Sequence, residues 1–306
     1  MKPLKSKIRI ILYKKIKKET YLKILYFWYH KKKLNIDSPQ RYSEKIFYLK
    51  IYNGIYLKEL LQICYDKYTV RNYVTKIVGK KYLTKLYGVY KKPEEIKFND
   101  LPDKYVLKVT QSCGYNIVQN GYNLMTHKEI IETLNNWLLE VNENQKQIET
   151  EENYYFTGDA QIICEEFLMD ENDEIPLDIR FFCFNGKPQF YCIDFDSTDK
   201  FGNKKKIYYR NTYDMDHNLI PVNLGRDYRP EYEHPQLKNF DEMIRVAMKL
   251  SEDFIFVRVD LYNIDGRIVF GELTWIPQNG GGRITPSHYD EEFGRLLKLP
   301  NVKISI

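Results

Sequence analysis

From Val257 to Gly282 the chain reads VRVDLYNIDGRIVFGELTWIPQNGGG. Two alternating runs rich in β-branched residues flank Asn263-Ile264-Asp265-Gly266, which predicts a β-hairpin. If the hairpin is centred on Gly266 with an odd-numbered loop, Asp260 lies opposite Glu272 and Arg258 opposite Thr274. Opposed residues share a face, as do residues two apart on one strand. One face of the hairpin then holds two carboxylates beside a guanidinium. Opposed acids repel unless positive charge sits between them, and a magnesium ion carrying nucleotide phosphates suits that position. Two other readings stay open here. A two-residue loop at Asp265-Gly266 would set Asp260 opposite Gly271 and turn Glu272 to the other face. A half-exposed hairpin can also carry charges simply as its solvated side.

Around this stretch, composition sets bounds. A chain of 306 residues can bury a substantial core, in one large or two intimate domains. Its formal charge of +5 is unevenly placed. Residues 1–33 hold twelve Lys/Arg and one acid, Glu19, so they carry +11 and the remainder carries −6. A mildly acidic body argues against a nucleic-acid enzyme with a basic channel, and no nucleic-acid partner is expected. The five cysteines (Cys64, Cys113, Cys164, Cys183 and Cys192) form no CxxC pair, and several sit in apolar runs, which predicts reduced core residues in a cytoplasmic protein. Twenty-seven Tyr, only Ala160 and Ala247 as alanines, and abundant Lys, Ile and Asn suggest the codon usage of an AT-rich genome. Lys and Tyr richness is therefore not read as binding chemistry.

No apolar run reaches the roughly 18–20 residues of a membrane span. The N-terminus is basic, but lysines interrupt its apolar runs and no small-residue cleavage site follows, so no signal peptide is expected. Ile8–Tyr13 and Tyr21–Tyr29 lie between Lys clusters. That pattern suits a helix at an inner membrane face, contacting it through residues 1–33, with aromatics at headgroup depth. It also suits a peripheral helix packed on the body with a solvated Lys face. Residues 1–36 are thus expected to form a basic, aromatic helical segment.

Further along, a helix is expected over residues 37–52 and another over Leu57–Val78, stopped by Gly79. Strands are expected at Tyr82–Tyr90, Tyr105–Val109 and Asn116–Gln119, with a loop at Gln111–Asn116 between the last two. Thr126–Val141 reads as helix and Asn142–Asn153 as a polar connector. Strands follow at Ala160–Leu168, Leu177–Phe184 and Gln189–Phe195, the last two joined by an Asn185-Gly186 turn. Phe201–Arg210 reads as a loop entering a strand, and Leu237–Phe254 as a helix. The fold class is α+β with two mixed lobes dividing near 142–160, so residues 37–158 and 159–306 are taken as the two main parts.

The sequence contains no Walker A loop, dinucleotide-binding glycine fingerprint, HExxH, zinc-ligand spacing or GxSxG elbow. Two Asp-x-Asp pairs occur, Asp194-Phe195-Asp196 and Asp214-Met215-Asp216. Such pairs hold metal on a nucleotide sugar in glycosyltransferases, but the pattern is short enough to arise by chance.

The order of parts fits something else. A strand with a central lysine (Val106-Leu107-Lys108-Val109) precedes a glycine-containing loop, then a strand ending in acids (Ile162 to Leu168), then the carboxylate hairpin. This order resembles the ATP-grasp fold, and the hairpin resembles the metal end of D-alanine–D-alanine ligases. More closely, the chain resembles the TupA-like ATP-grasp family, named for teichuronopeptide biosynthesis, from about Ser43 to Leu299. The matching segments are Ser43–Ile46, Asp66-Lys67-Tyr68-x-Val70-Arg71, Leu101-Pro102-Asp103-x-Tyr105 to Lys108, Arg180 to Pro188, Val257 to Tyr262 and Gly271 to Thr274.

The resemblance implies two mixed α/β lobes with the nucleotide between them, preceded by the basic N-terminal helical segment. It places the lysine strand and phosphate loop in 37–158, and the ATP-grasp lobe with the metal hairpin in 159–306. It implies ATP and Mg2+ as cofactors. Lys108 would contact the α/β-phosphates and Arg71 would be a second phosphate-binding cation. Gln111–Asn116 would cover the phosphates with backbone N–H groups. Glu165, Glu166, Phe167 and Leu168 would form the adenine hinge, and Asp178 would reach the ribose. Arg180 and Arg210 would bind the γ-phosphate or the carboxylate substrate. Asp260 and Glu272, with Thr274, would hold the metal, and Arg258 would stabilise the transferring phosphoryl group. Two positions depart from the pattern: Thr274 stands where ligases carry Asn, and Trp275-Ile276-Pro277-Gln278-Asn279-Gly280 lacks the usual Pro-Gly junction.

The implied activity is ATP-dependent carboxylate–amine ligation through an acyl phosphate, modifying a capsule, teichuronic-type or other surface glycan or its precursor in the cytoplasm. The implied partners are a uronic-acid-containing substrate and an amine, neither of which the sequence identifies. The alternatives are a glycosyltransferase using an Asp-x-Asp site and a non-catalytic glycan- or membrane-binding protein.

Overall fold

The computed structural model describes residues 13, 15–122, 125–147, 158–170, 172–199 and 201–300. Its α-helices are α1 (Lys18–His30), α2 (Tyr42–Tyr56), α3 (Lys58–Tyr65), α4 (Val70–Ile77), α5 (His127–Gln147), α6 (Phe240–Ser251) and α7 (His288–Leu296). Its strands are β1 (Leu86–Tyr90), β2 (Tyr105–Val109), β3 (Asn116–Gln119), β4 (Ile162–Glu166), β5 (Asp178–Phe184) and β6 (Lys187–Phe195), followed by β7 (Tyr209–Tyr213), β8 (Leu219–Ile220), β9 (Asn223–Leu224), β10 (Phe256–Ile264), β11 (Arg267–Thr274) and β12 (Ile284–Thr285). Two compact units result. One contains Leu57–Pro176 and Asp196–Ile207; the other contains Lys15–Tyr56, Leu177–Phe195 and Tyr208–Ile306.

In the first unit an antiparallel sheet has strand order β1-β4-β2-β3. Alternation along β2 and β4 gives the sheet two unlike faces. Tyr105, Leu107 and Val109, with Ile162 and Cys164, join Ile130, Leu134 and Leu138 of α5 in one core. Lys108 and Glu165 therefore point the other way. A reciprocal capping box opens α5: Thr126 N–H donates to Glu129 Oε2 at 2.8 Å, and Glu129 N–H donates to Thr126 Oγ1 at 3.3 Å. The helix runs on to Gln147, taking up residues expected as connector; the rest of that connector, residues 148–153, lies outside the described residues. The helix expected over Leu57–Val78 is two helices. Asp66 Oδ1 accepts from the backbone N–H of Tyr68 (2.7 Å) and Thr69 (3.1 Å), and a side chain that satisfies those donors breaks the run. Lys80–Tyr82 forms a 3-10 turn, so the strand expected from Tyr82 begins only at Leu86.

In the second unit a six-stranded antiparallel sheet has order β11-β10-β5-β6-β7-β8. One face carries Phe181, Cys183, Tyr191, Val257 and Val259, buried beside Met243, Val246 and Ala247 of α6. The opposite face changes chemistry along its length. Phe182, Phe184, Phe190 and Phe256 pack with Tyr42, Ile46 and Leu49 of α2 and Phe293 of α7. Further along the same strands, in phase, come Asp178, Arg180, Asp194, Arg258 and Asp260. The Ser43–Ile46 segment proves to be a fold element. Ser43 donates from N and Oγ to Asp290 at 2.8 Å each, and Lys45 Nζ donates to the carbonyls of Gly294 and Leu297 at the end of α7. Glu44 Oε2 accepts from the backbone N–H of Gln40 and Arg41, which starts α2 at Tyr42, later than residue 37.

The hairpin closes differently from expectation. Ile264 pairs with Arg267, so the loop is the two residues Asp265 and Gly266, both with positive φ (52° and 94°), and the odd-numbered loop is overturned. Leu261 pairs with Phe270 and Asp260 with Glu272, leaving Gly271 as an extra residue in β11. This β-bulge restores the pairing that a two-residue turn alone would have broken.

Candidate active site

Within the first unit, one buried carboxylate gathers two cations. Lys108 on β2 and Glu165 on β4 are diagonal neighbours on one sheet face, and Lys108 Nζ donates to Glu165 Oε2 at 2.8 Å. Arg71 on α4 donates from Nη1 to Glu165 Oε1, and its guanidinium also binds Thr84 Oγ1 (3.1 Å) and the Thr84 carbonyl (2.6 Å). Burial pushes the Glu165 carboxyl up, but Lys108 and then Arg71 outweigh it and hold the group below its ordinary range. Lys67, from the same motif as Arg71, donates to the carbonyls of Val109 and Thr110 at 3.2 and 3.4 Å, and to that of Ser112. It thereby anchors the root of the Gln111–Asn116 loop. The two expected phosphate cations do come together. Glu165, expected in the adenine hinge, spends its side chain on orienting them. Glu166 accepts instead from the Lys85 backbone N–H at 3.1 Å, and Phe167 and Leu168 follow β4 as half-buried coil.

Within the second unit, Asp178, Arg180, Arg210, Arg258, Asp260, Glu272 and Thr274 stand on one sheet face. The register dictates this: Asp260 opposes both Glu272 and Arg180, Arg258 opposes Thr274, and Asp194 opposes both Asp178 and Arg210. Three oxygens converge on Arg258 Nη2: Asp260 Oδ2 and Glu272 Oε1 at 2.6 Å, and Thr274 Oγ1 at 3.1 Å. Arg258 Nε also donates to Asp260 Oδ1 at 2.6 Å. Thr274 Oγ1 donates to Glu272 Oε1 at 2.9 Å, so the residue replacing the usual Asn still belongs to the cluster. Burial raises the Asp260 carboxyl to about 6, with Arg258 and Arg180 opposing the rise and Glu272 adding to it.

Asp194, which the sequence offers only as half of an Asp-x-Asp pair, belongs to this cluster. Fully buried, it receives Arg210 Nε at 2.5 Å and Nη2 at 2.9 Å, with Arg180 Nη2 3.0 Å away. Burial pushes its carboxyl up, but Arg210 and Arg180 hold it below the ordinary range. Its phase with Phe190 and Cys192, together with the Asn185-Gly186 turn, was the signal that could have found it. Its oxygens are committed to arginines, while Asp196 is exposed and pairs with Lys205 at 3.7 Å. Asp214 Oδ1 accepts from the backbone N–H of Asp216 and Asn218, holding its own turn. Both Asp-x-Asp pairs thus have structural employment.

The arrangement suits a hard divalent cation and phosphate oxygens. Among the described residues no three His, Cys, Asp or Glu side chains form a complete metal cage. Two carboxylates and a hydroxyl do share one focus, and Mg2+ characteristically takes one or two carboxylates and completes its shell with phosphate and water. Arg180 Nε, buried, has no hydrogen-bond partner among the described residues; Asp260 Oδ2 lies 3.7 Å away. A buried donor left unmet beside these acids fits an incoming oxygen.

After β11 the backbone takes a rare course. Gln278, Asn279 and Gly280 have φ of 51°, 56° and 76°, three left-handed residues in succession. Lys50 of α2, with no exposed surface, donates to the Asn279 carbonyl at 3.3 Å and to its Oδ1. His30 Nε2 donates to the Gly280 carbonyl at 2.9 Å, and burial lowers the His30 pKa, favouring the neutral ring. A Cβ on Gly280 would meet the Phe47 ring at 2.9 Å. This turn, together with Arg210, Phe182 and Gly282, bounds a small cleft.

The TupA-like ATP-grasp family matches residues 44–298. No curated protein matches the chain. Among solved structures it is similar to D-alanine–D-alanine ligase from Bacillus anthracis, at 15% identity over 72% of this chain and 63% of that one, with a TM-score of 0.42. Phosphoribosylamine–glycine ligase from Thermotoga maritima gives 14% identity over 71% of this chain and 48% of that one, with a TM-score of 0.43. D-alanine–D-alanine ligase from Helicobacter pylori gives 13% identity over 79% and 60%, with a TM-score of 0.41. The chain spans less than two thirds of the length of each of these ligases.

Proposed function

The chain belongs to the TupA-like ATP-grasp family, and from that premise we propose that it is an ATP-dependent carboxylate–amine ligase. In this chemistry a substrate carboxylate attacks the γ-phosphorus and ADP leaves with the bridging oxygen. An amine then attacks the acyl phosphate and expels inorganic phosphate, leaving an amide. The observation that carries the reading is the focus of Asp260, Glu272 and Thr274 oxygens on one cationic atom, on a sheet face that also holds Arg180 and Arg210.

Asp260, Glu272 and Thr274 would hold Mg2+, which when bound neutralises phosphate charge. Lys108 and Arg71 offer two fixed cations for phosphate oxygens, with Glu165 setting their positions in advance so that little ordering remains at binding. Arg180 presents its unmet Nε donor. Arg258, held by both acids, is placed to stabilise charge on the transferring group. Phe167 and Leu168 would cover the base, and Asp178 would reach the ribose. The substrate in this reading is a uronic-acid carboxylate of a surface glycan or its precursor, joined to an amine, a class suggested by the resemblance to a family named for teichuronopeptide biosynthesis.

The test is ATP-dependent phosphate release with uronic acids and amines as trial substrates, together with thermal-shift measurements. Mg-ADP and Mg-ATP should raise the melting temperature, and Glu272→Gln should abolish phosphate release. A shift with UDP-sugars and none with Mg-ADP would overturn the ligase reading in favour of glycosyl transfer.

A further inference from the structure

Helix α1 has two apolar faces. Tyr21, Leu22, Leu25 and Tyr26 are buried, and Tyr26 packs edge-on against Phe47 at 5.0 Å while its hydroxyl lies 2.9 Å from Ser43 Oγ. That inner face completes the core of its own unit. The outer face, offset by one or two residues, shows Ile24, Phe27 and Trp28, which are 42%, 54% and 37% exposed. A helix that needed only to cover the core would carry polar residues there. Lys31, just past the helix end, lies over both rings, 5.2 Å from Trp28 and 5.8 Å from Phe27. Lys15, Lys17, Lys23 and Lys33 are exposed as well.

We propose that this outer face of α1 docks on an anionic lipid bilayer. Charge complementarity selects the partner: residues 15–33, which contain α1, hold seven Lys and one Glu, a net of +6, and an anionic surface attracts such a segment. The mixture of one aliphatic and two aromatic side chains, ringed by long amines that can lay their stems along the rings, matches the headgroup–acyl boundary. Because His30 and Lys50 tie α1 and α2 to the turn after β11, docking by this face would orient the Gln278–Gly280 cleft with respect to the membrane. The inference is independent of the ligase reading.

The test uses the full chain with vesicles of phosphatidylcholine alone and of phosphatidylcholine mixed with phosphatidylglycerol. Sedimentation with the anionic vesicles, weakened by salt, is expected. Phe27→Ser with Trp28→Ser should lower partitioning by about tenfold or more while the melting temperature stays unchanged. Vesicles with brominated acyl chains should quench tryptophan emission, and Trp28→Phe should remove that quenching. Failure to bind anionic vesicles would overturn the proposal. So would binding by the double variant equal to that of the native chain, which would assign attraction to the basic segment alone. Dimers in light scattering that the double variant abolishes, without vesicle binding, would assign the face to a second copy.

Discussion

Asp260 faces Glu272 across a hairpin whose two-residue turn would by itself have set it against Gly271; the bulge at Gly271 is what brings the two carboxylates together. Gly271 also has no room for a side chain, since a Cβ there would lie 3.0 Å from the Asp260 carbonyl and 3.2 Å from the Tyr262 ring. Gly271→Ala should therefore destabilise the protein by about 1–3 kcal/mol in urea unfolding, as overpacked sites do. Deleting Gly271 removes the extra residue itself, so Glu272 stays opposite Asp260 in a regular ladder and binding should survive. The deletion variant should keep its Mg-ADP thermal shift, and loss of the shift would contradict this register.

The cluster around Glu165 separates folding from binding. Arg71 and Glu165 are both largely buried, so Arg71→Met leaves a buried carboxylate short of a partner and should cost about 3–5 kcal/mol in chemical denaturation. Lys108 is more exposed and its loss should cost less stability. Lys108→Met should nevertheless abolish the nucleotide thermal shift. Equal losses of stability in the two variants would contradict this division of labour.

Asp260 gives the metal-free protein a distinctive pH response. Its folded pKa is raised to about 6, so the folded state binds that proton more tightly than the unfolded chain does. Its contribution therefore favours folding at low pH and diminishes as pH rises from about 4 to about 6. Glu165 and Asp194 are depressed and act oppositely, losing their stabilisation as pH falls through their folded pKa values, below the ordinary carboxylate range. Melting temperatures of native protein and Asp260→Asn between pH 4 and 7 should differ in slope in that upper window. Parallel curves would refute the burial effect.

The left-handed turn should depend on the helices that hold it. Lys50→Met removes the ammonium that binds Asn279 and should lower turnover more than it alters Mg-ADP affinity. A matched loss in both would assign Lys50 to general stability. His30→Phe should produce a milder effect of the same kind, since it removes one bond to the Gly280 carbonyl.

Much of the site could be read in advance because strand alternation is local. Asp178, Arg180, Arg258 and Asp260 are spaced two apart, so each pair had to share a face once a strand formed. Lys108 and Glu165 could be placed on strands for the same reason, but their contact required the β2–β4 pairing, which joins segments more than fifty residues apart. The partners of Asp194 escaped because an acid between apolar neighbours gives no local sign of the two arginines it serves. The long helix of Leu57–Val78 failed because one Asp side chain outcompeted the helix for two backbone donors. The stretch Tyr21–Tyr29 suits either a membrane-surface helix or a peripheral helix packed on the body with a solvated Lys face; the structure buries Tyr21, Leu22, Leu25 and Tyr26 and leaves Ile24, Phe27 and Trp28 exposed.

The sequence by itself determined the α+β elements, the alternating faces and the family, since these rest on spacing and on ordered local motifs. Tertiary structure decided which acids meet which cations. It also decided the bulge that sets Glu272 opposite Asp260 and the clasp of Lys50 and His30 on the turn at Gln278–Gly280. The physical reason is range: spacing along a strand fixes the side on which a charge stands, but the neutralising partner of a buried charge comes from whichever distant strand or helix folding brings within hydrogen-bond reach.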